Sequence, residues 1–335
     1  MQSTLLITGG AGFIGSAFVR LALERGYKIV VLDALTYAGR RENLADIKND
    51  IELVVGDIGD RALVDGLLTA HRPSGVLHFA AESHVDNSIA SPGAFIATNI
   101  DGTYTLLEAV RAYYNALPQA AKEAFRYVQI STDEVFGSLG DTGYFSETSP
   151  YAPNSPYSAS KAAADHLVRA WHHTYGLPTL ITHCSNNYGP RQLPEKLIPV
   201  IITRALAGAP LPVYGDGCQV RDWIHVEDHC RGILLALEKG RIGEHYCFGG
   251  RAEHRNIDLV RLICTTLDTL RPRKEAGSYS GQITFVPDRP GHDRRYAIDD
   301  SKAEKTLGFT RKWEFNQGIG ATVDWYLTNA ARYSL

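Results

Sequence analysis

The chain has 335 residues, 44% hydrophobic and 21% charged, enough for a large core in one domain or two closely joined ones. Its formal net charge is −3 and no basic run stands out, so no nucleic-acid partner is expected. No run of about 18 apolar residues offers a membrane span, and five scattered cysteines without a Cys-x-x-Cys read as reduced thiols of a cytoplasmic protein.

The first residues run straight into an apolar strand, Thr4 to Thr8, with no basic or cleavable region of a signal peptide. Gly9, Gly12 and Gly15 then open a helical pattern from Ser16 to Arg25. Glycines at this spacing allow a tight turn, close approach of a pyrophosphate and close packing of helix on strand, and the helix N-terminus supplies N–H groups for phosphate. A glycine triplet alone is weak evidence, but this one has a strand before it and a helix after it. The second strand, Lys28 to Asp33, ends in an acid about 20 residues beyond the glycines, placed to bind ribose hydroxyls. Its charge would repel a 2′-phosphate, which favours NAD over NADP.

A third strand, Glu52 to Ile58, ends in Gly56-Asp57-Ile58, and a fourth, Gly75 to Ala81, ends in Phe79-Ala80-Ala81, whose small residues let the backbone approach a cofactor. Glu82 to Asp86 forms a polar loop at the same edge, and Thr98-Asn99 precedes a helical pattern from Ile100 to Asn115. Tyr127 to Ile130 reads as a buried parallel strand that opens into Ser131-Thr132-Asp133-Glu134. Pro156 starts another helix, which places Tyr157 and Lys161 on one face. A phenol beside an ammonium is expected to have a lowered pKa and to act as a base near neutral pH. Tyr-x-x-x-Lys by itself is more often a surface pair; the Thr-Asp-Glu strand end and the nucleotide signature give it weight here. Asp133 and Glu134 resist carrying two negative charges side by side, so one pKa should rise.

Strands and helices alternate through Thr179 to Thr182, which predicts an α/β fold, a Rossmann-type doubly wound parallel sheet. After Asn186 the rhythm changes to prolines, glycines and short elements up to 222, then helical patterns near Asp228 to Glu238 and Ile257 to Leu270, and a loop-rich stretch at 275–298. This divides the chain into a nucleotide-binding and catalytic domain, 1–185, and a smaller lobe, 186–335, that closes over the substrate, with an interwoven boundary. The histidines, including His172-His173, lack zinc spacing, so no metal is expected.

The glycine turn, Asp33 and Tyr157-x-x-x-Lys161 resemble the extended short-chain dehydrogenase/reductase family. Within it, the resemblance is to the dehydratases of dTDP-glucose, carried by Asp33–Gly39, His78–Asp86, Ser131–Glu134, Ser185–Pro190, Pro194–Pro199, Tyr214–Gly217, Arg221–Trp223 and Arg289–Asp293. Asp133 separates this group from the 4-epimerases, which usually carry Ala there. The resemblance implies a lyase of deoxysugar biosynthesis that oxidises C4, removes water across C5 and C6, and returns hydride to C6, with NAD regenerated each turn. Tyr157 is the implied base at the C4 hydroxyl, assisted by Lys161 and Thr132; Glu134 takes the C5 proton and Asp133 protonates the C6 hydroxyl. Phe13, Ile14, Ala34, Leu35, Thr36, Ser83 and Thr98 join the glycines, Asp33, Asp57, Ile58 and Phe79–Ala81 around NAD. His84, Asn186, Glu195, Lys196, Leu197, Pro212, Val213, Tyr214, Arg221, Asn256, Arg289 and His292 are implied contacts of the nucleotide sugar. A homodimer through the helices near 100–115 and 157–175 is also implied. Departures from the family's common residues fall at Asn87, His183, Arg191 and Leu193, and none removes a catalytic group.

Overall fold

The computed structural model describes residues 3–273 and 277–329; of the loop-rich stretch, residues 275 and 276 lie outside the described residues. The first half of the chain forms β1 (Thr4–Thr8), α1 (Phe13–Glu24), β2 (Lys28–Asp33), β3 (Ile51–Val55), α2 (Arg61–His71), β4 (Gly75–His78), α3 (Val85–Ala90), α4 (Pro92–Phe95), α5 (Thr103–Ala116), α6 (Gln119–Ala124), β5 (Arg126–Ile130), α7 (Pro156–Tyr175) and β6 (Thr179–Cys184). The second half forms β7 (Asn186–Tyr188), α8 (Leu197–Leu206), β8 (Leu211–Tyr214), β9 (Val220–His225), α9 (Val226–Lys239), β10 (His245–Phe248), β11 (Glu253–Arg255), α10 (Asn256–Leu270), β12 (Ile283–Val286), α11 (Ser301–Leu307) and α12 (Phe315–Asn329).

Seven strands make one parallel sheet in the order β10-β6-β5-β4-β1-β2-β3. The apolar runs of β1, β2, β4, β5 and β6 are buried almost throughout because helices cover both faces. Phe18 and Val19 of α1, Ile233 and Leu237 of α9 and Leu307 of α11 pack on one face. Val64 and Leu67 of α2, Leu106 and Val110 of α5 and Val168 of α7 pack on the other. Strand order reverses direction between β1 and β4, the switch point where such sheets bind ligands.

The second half does not form only a separate lobe. β10 adds to the large sheet beside β6, and α9 packs against α1, because its apolar stripe (Cys230, Ile233, Leu234, Leu237) matches the stripe of α1. The helical pattern read at 228–238 therefore belongs with the large sheet. The smaller lobe keeps α8, α10 and α12 around β8 and the aromatic rings of Tyr188 and Trp223, with the short sheets β11-β9-β7 and β12-β8.

Two local structures place the site. Ser155 and Ser158 form a reciprocal capping box, Pro156 holds the first turn, and Gly176 ends α7 at φ 69°, so both ends of the helix carrying Tyr157 and Lys161 are fixed. The helix expected from Ile100 begins earlier, as a π turn over Ile96–Gly102 that runs into α5. The wide turn lets Asn99 grip the loop after β4: its Oδ1 accepts from Glu82 N at 2.9 Å, and its Nδ2 donates to Glu82 O at 3.0 Å and Ser160 Oγ at 2.9 Å.

Candidate active site

A cavity of about 610 Å³ opens along the carboxyl ends of the central strands and extends between the lobes. Every candidate catalytic, cofactor and substrate residue lines it except Leu35 and Val213. Leu35 acts through its backbone: its N–H donates to Asp33 Oδ1 at 2.9 Å, while its side chain packs on the core of the large sheet. Val213 points the other way. Side chains alternate along β8, so Pro212 and Tyr214 reach the cavity while Leu211 and Val213 enter the core of the smaller lobe.

The cofactor half is built from backbone. Gly9 has φ +70°, and a Cβ there would lie 2.5 Å from Ala80 N; a Cβ on Gly15 would lie 2.2 Å from Gly9 O. Helix α1 begins at Gly12 with no side-chain cap and no acid in its first turn, so its N–H groups and partial positive charge face the cavity. Asp33 is buried and accepts from Ala11 N at 2.8 Å as well as Leu35 N, which fixes its carboxylate at the end of β2. An uncapped helix start, a glycine surface and a fixed acid suit the diphosphate and ribose of NAD.

The reacting half gathers on the end of β5 and the start of α7. Thr132 caps the turn that presents Asp133 and Glu134, and its hydroxyl acts on the Tyr157 phenol to oppose part of the rise in its pKa. Burial pushes the Asp133 carboxyl well above its usual range, and the charges of Glu134 and Asp222 push it further, which favours its proton-donating form. Burial also raises Glu134, but Lys196, Arg289 and Arg221 pull it back toward the anion. Burial thus acts on both carboxyls, while neighbouring charge adds to the rise at Asp133 and opposes it at Glu134.

Tyr157 departs from the expectation of a lowered pKa. Burial raises it well above the usual phenol value, and the charges of Glu134, Cys184 and Asp133 add to the rise. Lys161 does not bond the phenol; its Nζ donates to Ile130 O at 2.7 Å. In the chain alone the phenol is the stable form, and a cationic nicotinamide ring beside it is the group that would reverse the direction.

The substrate half is cationic and dispersed. Lys196 Nζ donates to Ser83 O at 2.7 Å, and Arg221, buried over the Tyr296 ring, donates to Asp293 O at 2.9 Å. Arg289 reaches Asp86 at 3.4 Å, Tyr214 OH reaches the same carboxylate, and His292 Nδ1 lies 2.6 Å from Asp288 Oδ1. Among the described residues, Asn186 Oδ1, Asn256 Oδ1, Arg289 Nε and Asp133 Oδ2 are buried without a partner, and all four belong to residues lining this cavity. Buried polar atoms left open in this way mark where a polar ligand completes the bonding. Sequence reasoning missed Arg204 and Trp223, which also line the cavity. Trp223 closes the Arg221–Trp223 motif but Arg204 sits in none, and the packing of α8 and β9 brings both there.

A Rossmann sheet with an uncapped glycine turn, an acid at the end of β2, a Tyr–Lys helix and two adjacent buried carboxyls define an NAD-dependent enzyme of the extended short-chain dehydrogenase/reductase class. A family model described as GDP-mannose 4,6 dehydratase matches residues 6–322. The dTDP-glucose 4,6-dehydratase of Xanthomonas campestris pv. campestris (strain B100) is 61% identical over 330 residues, covering 98% of this chain and 94% of that protein. The dTDP-glucose 4,6-dehydratase 1 of Escherichia coli (strain K12) is 52% identical over 337 residues, covering 97% of this chain and 93% of its own length. The crystal structure of DesIV, the dTDP-glucose 4,6-dehydratase of Streptomyces venezuelae with NAD and TYD bound, is 45% identical, covers 99% of each chain and superposes with a TM-score of 0.90. The chain belongs to the dTDP-glucose 4,6-dehydratase family.

Proposed function

We propose that the protein converts dTDP-glucose to dTDP-4-keto-6-deoxyglucose with NAD as a bound cofactor. The observation that carries this reading is the buried Asp133–Glu134 pair in one cavity with Tyr157, Asp133 pushed well above the usual carboxyl range by burial and like charge and Glu134 raised by burial against the opposing charges of Lys196, Arg289 and Arg221. When bound, NAD takes hydride from C4 and hands it back to C6. Tyr157 takes the proton of the C4 hydroxyl, and Thr132 holds that oxygen. The C4 ketone makes the C5 proton acidic, and Glu134 removes it. Asp133 gives its proton to the C6 hydroxyl, which leaves as water. Glu134 returns its proton to C5, and the proton on Tyr157 balances the one lost from Asp133. General acid–base steps of this kind contribute roughly 10²–10⁴-fold each.

Arg221 and Arg289 suit a diphosphate because a guanidinium matches phosphate geometry. Incubating the purified protein with dTDP-glucose tests the reading: a 4-keto-6-deoxy product supports it, and a C4-epimerised sugar would overturn it.

The protein is also read as a cytoplasmic homodimer. No helix among the described residues is long and apolar enough to cross a membrane. Helices α5 and α7 pack side by side, and their outer surface exposes Tyr104 and Tyr175 around Trp171, an aromatic patch that suits a two-fold four-helix contact. A monomer in sedimentation at micromolar concentration would sink the dimer.

A further inference from the structure

Behind the reacting groups lies a second buried polar cluster that the mechanism does not use. Asp165 is 1% exposed and lies one helical turn after Lys161 on α7. Its Oδ2 accepts from Ser131 Oγ at 2.6 Å and from Tyr151 OH at 3.2 Å, and His183 Nε2 lies 3.2 Å from the same oxygen. Its Oδ1 is buried with no partner among the described residues. Ser131 sits at the end of β5, directly before Thr132-Asp133-Glu134. Two bonds therefore join α7 to that strand end: Lys161 Nζ to Ile130 O, and Asp165 to Ser131.

We propose that Asp165 is a positioning residue for the reaction: it clamps the helix carrying Tyr157 and Lys161 to the strand end carrying Thr132, Asp133 and Glu134. The inference rests on the reading of the site given above. A carboxylate is a costly choice for a clamp. Burying it with one oxygen unpaired is unfavourable, and a neutral amide would also bond Ser131. The charge has a use at Lys161. Burial lowers the pKa of that ammonium, and Asp165 is the carboxylate whose charge opposes the drop. Lys161 is faced by Tyr157 on α7, His78 on β4 and Cys184 on β6. Asp165 is faced by Tyr151, by Tyr127 on β5, by His183 on β6, by His245 on β10 and by Arg169, one turn along α7. Cys184 also touches the strand end, donating to Ser131 O, but burial pushes its thiol up; Asp165 is the carboxylate that both touches the strand end and supplies negative charge to Lys161.

The test compares Asp165→Asn, which keeps the shape and removes the charge, with Ser131→Ala, which removes the bond from the strand side and keeps the charge. Turnover of dTDP-glucose and the pH profile of kcat are measured on NAD-loaded protein. Both variants should lose roughly ten- to hundredfold in kcat with KM within about twofold, Ser131→Ala because the reacting groups are misplaced and Asp165→Asn because Lys161 loses its anionic neighbour. Asp165→Asn alone should move the alkaline limb to lower pH, because Lys161 without its anionic neighbour gives up its proton earlier. The double variant should combine the two losses, since Asp165→Asn removes the charge and keeps an oxygen for Ser131 while Ser131→Ala removes the bond. If Asp165→Asn fails to fold, Ser131→Ala still tests the clamp by its kcat. Near-normal kcat in either variant, or an alkaline limb that does not move in Asp165→Asn, overturns the proposal. Wild-type protein that binds NAD but leaves dTDP-glucose untouched overturns the functional reading, and the inference falls with it.

Discussion

The two halves of the cavity are made in different ways. The cofactor half is a surface of backbone: Gly9, Gly12, Gly15 and the small residues after β4, with the carboxylates of Asp33 and Asp57 fixed beside them by backbone N–H groups. The substrate half is a set of long side chains from loops far apart in the chain: Lys196, Arg221, Arg289 and His292. Backbone shape resists change because any added atom meets another backbone. Long cations tolerate change because they can adjust, and what they supply is charge. The reacting groups sit on the seam between the halves and answer to both: burial on the sheet side raises the pKa of Asp133, and cations from the other lobe oppose the rise at Glu134.

The largest effects belong at the seam. Tyr157→Phe removes the base at C4, so neither NADH absorbance nor product should form. Asp133→Asn and Glu134→Gln should still oxidise C4 and then stall: bound NADH appears on adding substrate while product formation falls by roughly 10²–10⁴-fold. Near-normal formation of 4-keto-6-deoxy sugar by both carboxyl variants would remove the acid and base assignments. A pH profile adds the sign. Asp133 must carry its proton, so its contribution is present below its raised pKa and is lost as pH rises through it.

Gly15→Ala should break the cofactor half alone. The new Cβ meets Gly9 O, a backbone atom that cannot swing aside, so overpacking should cost about 1–3 kcal/mol. NAD content after purification should drop together with Tm. A variant that keeps full NAD content and stability would mean that the turn is softer than its contacts indicate.

Arg289→Lys should touch only the substrate half. The charge stays but the planar fork is lost, so KM for dTDP-glucose should rise by about tenfold while kcat and NAD content hold. A fall in kcat at constant KM would move Arg289 from binding to the chemical steps. Ser155→Ala should be the smallest change, about 1 kcal/mol from the lost cap of α7, read in Tm with KM for both ligands unchanged.

The sequence by itself determined the elements whose parts are neighbours along the chain. The glycine turn with its flanking strand and helix, Asp33 at a strand end, Thr132-Asp133-Glu134 and the Tyr157–Lys161 spacing could be read because one strand end or one helical turn holds each group together. Tertiary structure decided everything that depends on neighbours from elsewhere. It returned β10 and α9 to the large sheet, because an apolar helix stripe carries no record of which face it will cover. It turned Val213 into the core and Pro212 and Tyr214 toward the cavity, because the phase of an alternating strand is fixed only when one side is buried. It also raised the Tyr157 phenol where spacing alone argued for a lowered one. The Lys161 ammonium that spacing counted on points to the backbone of β5 instead, and the field at the phenol is set by burial and by two carboxyls from another element. A pKa is a property of surroundings, and those exist only once the chain has folded.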